Sequence, residues 1–396
     1  GLFGWFGSGN SGNEGSLEAM LIFLRRVQPD AELMCICSDP NMVQKDHGVL
    51  AIGFRYSGSG DFVGHLDRLF FKVSPRLANW VYAVRWMRRL DFVIIPGTGI
   101  LDDFGSGPWF FPYLLFRWCL SARLCGTEVW FVSIGAGPIH HPMSRRLMKW
   151  AAAMAQYRSY RDTISKEFLE SIGLKVRSDP IYPDLAFKLP GPQPSTCRRP
   201  EKALTVGVGV MNYRGWFDNR SDVLDTYLKK VTRFVIWLLD RGYRVRILTG
   251  DRSDRPAVDD LTKALAATGR TIAPERLVTE PTPTLHELMQ QIALTDIVVA
   301  TRFHNVVCAL KLGKPAISIG YADKNDALLA HVGLAKFCQY IEGLDVDLLM
   351  QQFLELVADL PRHEQRIKET VDRYQQQLAD QDAILESRLL HRRSRK

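Results

Sequence analysis

A chain of 396 residues is too long for one ordinary hydrophobic core, so two domains are expected. Its 46% hydrophobic and 24% charged residues are the proportions of a globular protein and exclude disorder on a large scale. The net charge of +8 favours anionic partners, whether phosphorylated metabolites, an acidic membrane surface or nucleic acid, without choosing among them.

The opening GLFGWFGSGNSGNEGSLEAMLIFLRRV reads as a short strand, a Gly-rich loop and a helix starting near Glu14 to Ser16. The loop has the shape of a ligand loop but neither the GxGxxG nor the GK[ST] spacing, so it is neither a dinucleotide fingerprint nor a P-loop. Glu14 is either a first-turn carboxylate that satisfies the helix dipole or a contact to substrate. AELMCICSD supplies the next strand. Leu77 to Leu90 then form a helix in which Trp80 and Trp86 are mixed with Arg85, Arg88 and Arg89, the composition of an interfacial helix or of an ordinary amphipathic one.

LDFVIIPGTGILDDF repeats the strand and Gly-loop pattern, with Asp102 and Asp103 just past Gly97 and Gly99, and TEVWFVSIGAGPI repeats it again with Gly135 and Gly137. Each pair suits a tight turn, because glycine takes positive φ without steric cost. Three such loops on successive parallel strands open on one edge of a sheet. YRSYRDTISKEFLESIGL adds a short strand, an N-cap at Asp162 or Thr163 and a helix closed by Gly173, with Arg158 and Arg161 at the same edge. VRSDPIYPDLAF, carrying Asp179 and Asp184, closes this half. The proline-dense residues 189–202 read as a linker between a domain at 1–190 and one at 203–345. Strands ALTVGVGV, YRVRILTGD and RLVT alternate with helices through Val231 to Leu239, around Leu261 and over TLHELMQQIAL. Residues 346–396 are helical, broken at Pro361, and end in the basic HRRSRK. Strands alternating with helices in both halves predict an α/β fold of two doubly wound Rossmann-like domains facing a cleft.

The sharpest unit is TDIVVATRFHNVVCALKLGKPAISIGY, from Thr295 to Tyr321. Ile297 to Ala300 suit a buried parallel strand, Val306 to Leu312 a helix, and Gly313 its stop. TRFHN lies between them, so Arg302 and His304 stand where a strand end and a helix N-terminus would bind a carboxylate or phosphate. Two residues apart in an extended loop, their side chains would project to the same side. Seven cysteines, an odd number, show neither a metal-ligand spacing nor a disulfide framework, and a reducing compartment fits best. The chain starts at Gly rather than Met, so the start is read as trimmed, and no signal-peptide pattern follows it. The longest apolar run, WFFPYLLFRWCL, is interrupted by Pro112 and Arg117 and is too short to span a membrane.

Together these loops resemble the polysaccharide pyruvyl transferase family. The matches are NSGNEG, PGTGILDD, GAGP, YRDTIS, the following DP, and RFHNVVCALKLGKPAISIGYADK, which fits the family's late signature at Arg302, His304, Ala309, Gly313, Pro315, Tyr321 and Lys324. The resemblance covers about residues 1 to 335. Asn13 stands where the family has Asp in its GDE motif, and Thr98 where it has the middle glycine of GGG.

The resemblance implies a GT-B-like fold and transfer of pyruvate from phosphoenolpyruvate onto two hydroxyls of a sugar as a cyclic ketal. On that reading the C-terminal domain takes the donor, with Arg302, Lys324, Arg161 and Phe303 around its carboxylate and phosphate. His304 is the acid and Asp103, on the facing domain, accepts the hydroxyl proton. Glu14, Asn13, Gly97, Gly99, Gly135 and Gly137 form the acceptor-side loops. No metal or cofactor is implied beyond phosphoenolpyruvate as co-substrate. The acceptor would be a sugar or lipid-linked oligosaccharide of an exopolysaccharide or cell-surface glycan. The enzyme would be cytoplasmic and touch the anionic inner membrane face peripherally through the helix near Trp86. The rivals are a GT-B glycosyltransferase using a nucleotide-sugar and a non-catalytic binding relative. Nucleic-acid binding is the weakest reading, since the basic residues are scattered.

Overall fold

The computed structural model describes residues 1–56, 75–192, 203–216 and 220–393, with side chains to 390. Most of the expected linker, residues 193–202, and residues 394–396 of the basic tip lie outside the described residues. The chain divides into two units, Gly1–Ser8 with Ser16–Tyr182, and Gly9–Gly15 with Pro183–Lys396.

In the first unit the strands are β1 (Leu2–Phe3), β2 (Met34–Cys37), β3 (Leu50–Gly53), β4 (Phe92–Pro96), β5 (Glu128–Ile134) and β6 (Tyr157–Tyr160). Its helices are α1 (Ser11–Val27, whose first turn belongs to the second unit), α2 (Pro40–His47), α3 (Pro75–Met87), α4 (Phe111–Cys125), α5 (Pro142–Ala153) and α6 (Thr163–Ser171). The second unit has strands β7 (Thr205–Gly209), β8 (Arg244–Leu248), β9 (Leu277–Thr279), β10 (Ile297–Ala300), β11 (Ala316–Gly320) and β12 (Cys338–Tyr340). Its helices are α7 (Ser221–Asp240), α8 (Arg255–Ala266), α9 (Leu285–Ala293), α10 (Phe303–Lys311), α11 (Lys324–His331), α12 (Val346–Ala358) and α13 (Leu360–Arg393).

Each unit holds a six-stranded parallel sheet, in the orders β3-β2-β1-β4-β5-β6 and β12-β11-β10-β7-β8-β9. Both are doubly wound, and the chain reverses direction between β1 and β4 and between β7 and β10. Ligands of such sheets collect at the carboxyl edge of that switch point. The strands read as continuous apolar runs because helices cover both faces: all four residues of β10 are buried.

Helix α7 shows how pattern becomes packing. Its buried residues Leu224, Tyr227, Leu228, Val231, Phe234, Val235, Leu238 and Leu239 recur at three- and four-residue spacing, one stripe of a 3.6-residue helix. Each such side chain contributes roughly 1.5–3 kcal/mol on burial. Helix α4 explains the apolar run from Trp109: Pro112 sits in its first turn, where a missing N–H costs nothing, and buried Arg117 donates to the Phe54 carbonyl at 2.7 Å. Among the described residues no helix is long and apolar enough to cross a membrane. None of the six described cysteines is in a disulfide.

Helix α13 has buried positions at His363, Ile367, Thr370, Tyr374, Leu378, Gln381, Leu385 and Leu389, again at steps of three and four. This seam covers the 3₁₀ turn Leu185–Lys188. Phe187 packs on Tyr374 at 5.1 Å between ring centroids, its carbonyl accepts from Gln375 Nε2 at 2.6 Å, and Lys188 pairs with Asp382. The turn that carries Asp184 at its N-cap is thereby pinned.

Candidate functional site

In the second unit the β10–α10 junction carries the site. The extended loop expected for Arg302 and His304 is a helix start: α10 begins at Phe303, and Arg302 is its N-cap in extended conformation, φ −71° and ψ 133°. The two side chains therefore diverge. Arg302 turns toward the end of β8, where Nε and Nη2 form a bidentate pair with the Asp254 carboxylate at 2.9 and 2.7 Å, and Nη1 lies 3.8 Å from Asp251. Burial alone would lower the Arg302 pKa, but Asp254 and Asp251 outweigh it and hold the guanidinium charged, with its pKa raised. Burial pushes the Asp254 carboxyl up against the pull of Arg302. Asp254 is fully buried and also accepts from the Asn212 N–H at 2.9 Å.

His304, the second helical residue, points elsewhere. Its ring lies against Gly12 so closely that a Cβ there would fall 2.0 Å from ring atoms. Its Nε2 stands 3.7 Å from Asp184 Oδ2. Phe303 is buried, its ring edge-on to the imidazole at 5.3 Å between centroids. Asn305, fully buried, fits between Gly209 and Gly250, where a Cβ would come within 2.8 Å of its Nδ2 and 2.5 Å of its Oδ1. These three glycines are close-approach positions, which is why the end of β7, the loop after β8 and the first turn of α1 each carry one.

Gly12 belongs to the first turn of α1, and that turn, Asn13 and Glu14 included, lies in the second unit rather than with the N-terminal half where the sequence places it. Helix α1 also starts at Ser11, earlier than expected, because Asn10 caps it: Oδ1 accepts from the Gly12 and Asn13 N–H groups at 3.1 and 3.3 Å. Asn10 Nδ2 donates to Asp251 at 2.9 Å, and the Ser11 N–H to the Gly250 carbonyl at 3.3 Å. The N-terminal turns of α1 and α10 thus abut at His304, two positive dipole ends at one place. Lys324 opens α11. Its Nζ donates to the Tyr321 hydroxyl at 2.9 Å and lies 4.5 Å from that ring's centroid, and neighbouring Asn325 donates to the Thr301 carbonyl at 3.2 Å, tying α11 to the β10–α10 loop.

In the first unit the glycine loops after β4 and β5 form one hydrogen-bonded knot. The Gly135 N–H donates to the Thr98 carbonyl at 2.6 Å and the Gly137 N–H to the Leu101 carbonyl at 2.7 Å. Gly97 and Thr98 both have positive φ, 55° and 64°. The Arg161 guanidinium lies under the knot, where a Cβ on Gly135 would reach within 2.5 Å of it and one on Gly99 within 3.6 Å, and it sits 3.4 Å from Asp162. Asp103 does not face solvent as an exposed base would. It is fully buried, and its oxygens accept from the His140 N–H at 3.1 and 2.9 Å and from the His141 N–H at 2.9 Å. It holds the loop beyond Gly137.

The structure therefore brings His304, Gly12, Asn13, Glu14, Arg302, Phe303 and Lys324 into one unit and leaves Arg161, Asp103, Gly97, Gly99, Gly135 and Gly137 in the other. Asp184 is the residue that sequence reasoning left without a role. Among the described residues, no group of three or more His, Cys, Asp and Glu is placed to hold a metal ion.

The fold has many solved counterparts at low identity. UDP-GlcNAc 2-epimerase from Neisseria meningitidis, bound to UDP-GlcNAc, superposes with a TM-score of 0.57 at 12% identity over 92% of this chain and 93% of that one. Anabaena HepE, in complex with UDP and glucose, gives 0.58 at 10% identity over 98% of both chains. The lipopolysaccharide outer core galactosyltransferase WaaB gives 0.54 at 11% over 96% and 99%. These likenesses show a GT-B-like fold and nothing finer. No curated protein matches the chain by sequence. A family model, however, spans residues 10–323, from the Asn10 cap of α1 through the β10–α10 junction to the turn before Lys324, and by that match the chain belongs to the polysaccharide pyruvyl transferase family.

Proposed function

We propose that the protein transfers pyruvate from phosphoenolpyruvate to two hydroxyls of a sugar in an exopolysaccharide or cell-surface glycan, forming a cyclic ketal, and that His304 is its proton-transfer residue. The observation that carries the reading is the imidazole set between two helix N-termini with Asp184 behind it. The positive dipole ends of α1 and α10 suit the donor's carboxylate and phosphate, with Lys324 as the mobile cation once it leaves Tyr321. Arg302 serves as the brace of this junction, since its guanidinium is already taken up by Asp254.

The chemistry follows from these groups. His304, protonated, gives its proton to the enol methylene, and the neighbouring carbon becomes oxocarbenium-like. An acceptor hydroxyl attacks that carbon and loses its proton to the now neutral imidazole. The bond to the phosphate oxygen breaks, phosphate leaves, and the second hydroxyl closes the ketal as its proton goes to phosphate. Asp184 orients the ring and balances its charge. General acid–base transfer of this kind contributes about 10²–10⁴-fold. The test is phosphate release from phosphoenolpyruvate that depends on a glycan acceptor, with the ketal identified by mass spectrometry. Phosphate release without acceptor dependence, or none at all, would count against it.

The second reading is a nucleotide-sugar-dependent glycosyltransferase, favoured by the nucleotide in the Neisseria and Anabaena structures. Calorimetry with UDP and with phosphoenolpyruvate separates the two. A peripheral membrane contact is assigned to the exposed Leu77, Val81, Trp109 and Phe110, which are 56, 47, 66 and 46% exposed. Trp86 is half-buried, edge-on to Tyr82 and covered by Arg89. Flotation with anionic liposomes should fall on Trp109→Ser; equal flotation of the two proteins would remove the assignment.

A further inference from the structure

The second unit also contains a cavity of about 360 Å³ at the carboxyl ends of β8 and β9. It shares Asp251 with the surroundings of Arg302 and Asn10 and is otherwise built on different side chains from the His304 centre. Ile247 and Val258 form its apolar floor, and Pro281 and Pro283 present flat, rigid C–H surfaces beside it. The segment carrying the prolines is fixed in place, because the Thr282 hydroxyl donates to the Thr249 carbonyl at 2.9 Å. Three carboxylates, Asp251, Asp259 and Glu280, and two guanidinia, Arg252 and Arg255, surround the opening.

That lining selects a ligand class. The rim carries charges of both signs, and Asp251 and Glu280 already face Arg302 and Arg246 at 3.8 and 3.7 Å, so no patch of one sign selects a phosphate or pyrophosphate group. A purely apolar ligand would leave the charged groups desolvated and unmatched. A neutral ring with an apolar C–H face and several hydroxyls meets both demands: its face covers the floor and prolines, and its hydroxyls donate to carboxylates and accept from guanidinia. We propose that this cavity binds one sugar ring of the acceptor glycan, as a subsite separate from the reacting centre. Its role as an acceptor subsite rests on the transferase reading above; the sugar binding does not. Asp251 joins the two places, since it lines the cavity and bonds Asn10, the cap of the turn that touches His304. The subsite therefore holds a ring beside the one that receives pyruvate, which sets the length and composition of glycan the protein accepts.

The experiment is saturation-transfer NMR on the full chain with methyl glycosides of galactose, glucose, mannose and N-acetylglucosamine, and with UDP as competitor. Two variants accompany it: Thr279→Trp, which fills the cavity from an exposed strand end, and Asp259→Lys, which reverses a charge on the exposed face of α8. At least one glycoside should bind in the millimolar range, weaken about tenfold or more in Thr279→Trp and less in Asp259→Lys, and resist UDP. Phosphoenolpyruvate affinity, measured on the same samples, should stay unchanged in both variants. No glycoside binding, binding that both variants retain in full, or displacement by UDP would overturn the subsite. Glycoside binding in a protein that fails to bind phosphoenolpyruvate supports the subsite and removes the transferase reading instead.

Discussion

The carboxyl edges of the two sheets carry similar sequence signals and use them differently. In the first unit the glycine loops after β4 and β5 turn their ionic side chains inward: Asp103 accepts backbone N–H groups and Arg161 lies under Gly135. In the second unit the loops after β8 and β10 also bury an ion pair, Arg302 with Asp254, but they leave His304 13% exposed at the meeting of two helix starts. The difference teaches that a charged residue after a strand is no guide to function until its partners are counted. The loop-bracing charges of Asp103 and Arg302 are taken up by protein groups. The imidazole packs against Gly12 and Phe303, lies 3.7 Å from Asp184 and keeps some exposure.

This contrast can be broken most forcefully at Arg302. Arg302→Ala leaves the Asp254 carboxylate buried without its counter-ion, and a loss of about 3–5 kcal/mol is expected in chemical denaturation. If the variant keeps its stability and loses only phosphoenolpyruvate affinity, Arg302 is a ligand group and the distinction fails. Gly12→Ala comes next. Its Cβ would fall 2.0 Å from the His304 ring, so the imidazole must move. A displacement of about 1 Å costs on the order of 10²-fold in turnover, with donor affinity less affected. Unchanged kinetics would mean that the ring position is not part of the chemistry.

A smaller effect concerns pH. His363 on α13 packs edge-on to Phe337, and burial lowers its pKa from the ordinary 6.5, with Lys336, Arg366 and Arg362 adding to the shift and Asp359 opposing it. The unfolded chain then binds the proton more readily than the folded one. Stability is complete above pH 6.5 and falls as the pH drops from there toward the lower folded pKa. Burial lowers the His47 pKa in the first unit in the same sense. The urea midpoint should therefore drop between pH 7.5 and pH 5.5, and His363→Gln should reduce the drop. An unaltered pH profile in the variant would exclude His363 as a source.

How much of this was legible in the sequence depends on the range of the interactions. β10 and the stop at Gly313 follow from an apolar run and a left-handed glycine, φ 70°, both local. The start of α10 was not legible, because TRFHN offers no Ser, Thr, Asp or Asn whose side chain caps the helix, and Arg302 makes no cap hydrogen bond. Asn10 is such a residue, but in a run of small polar residues its cap did not stand out from Asn13. Thr98 breaks the glycine pattern and still takes positive φ, since its carbonyl is held by Gly135 from the next strand's loop. Asp103 and Asp184 show the limit. Their partners, His140, His141 and His304, lie far along the chain, and no periodicity connects them. Helices α2 and α11 and the edge strands β3 and β12 are short, and the sequence reading passed over them.

The central claim is that His304 moves the proton, and His304→Asn tests it most directly. Asparagine keeps the approximate size and a hydrogen-bonding group but cannot exchange a proton near neutrality. Acceptor-dependent phosphate release from phosphoenolpyruvate should fall about 10²-fold or more, with donor affinity and denaturation midpoint retained. Turnover near that of the parent protein, or loss of folded protein in place of loss of rate, would contradict the account.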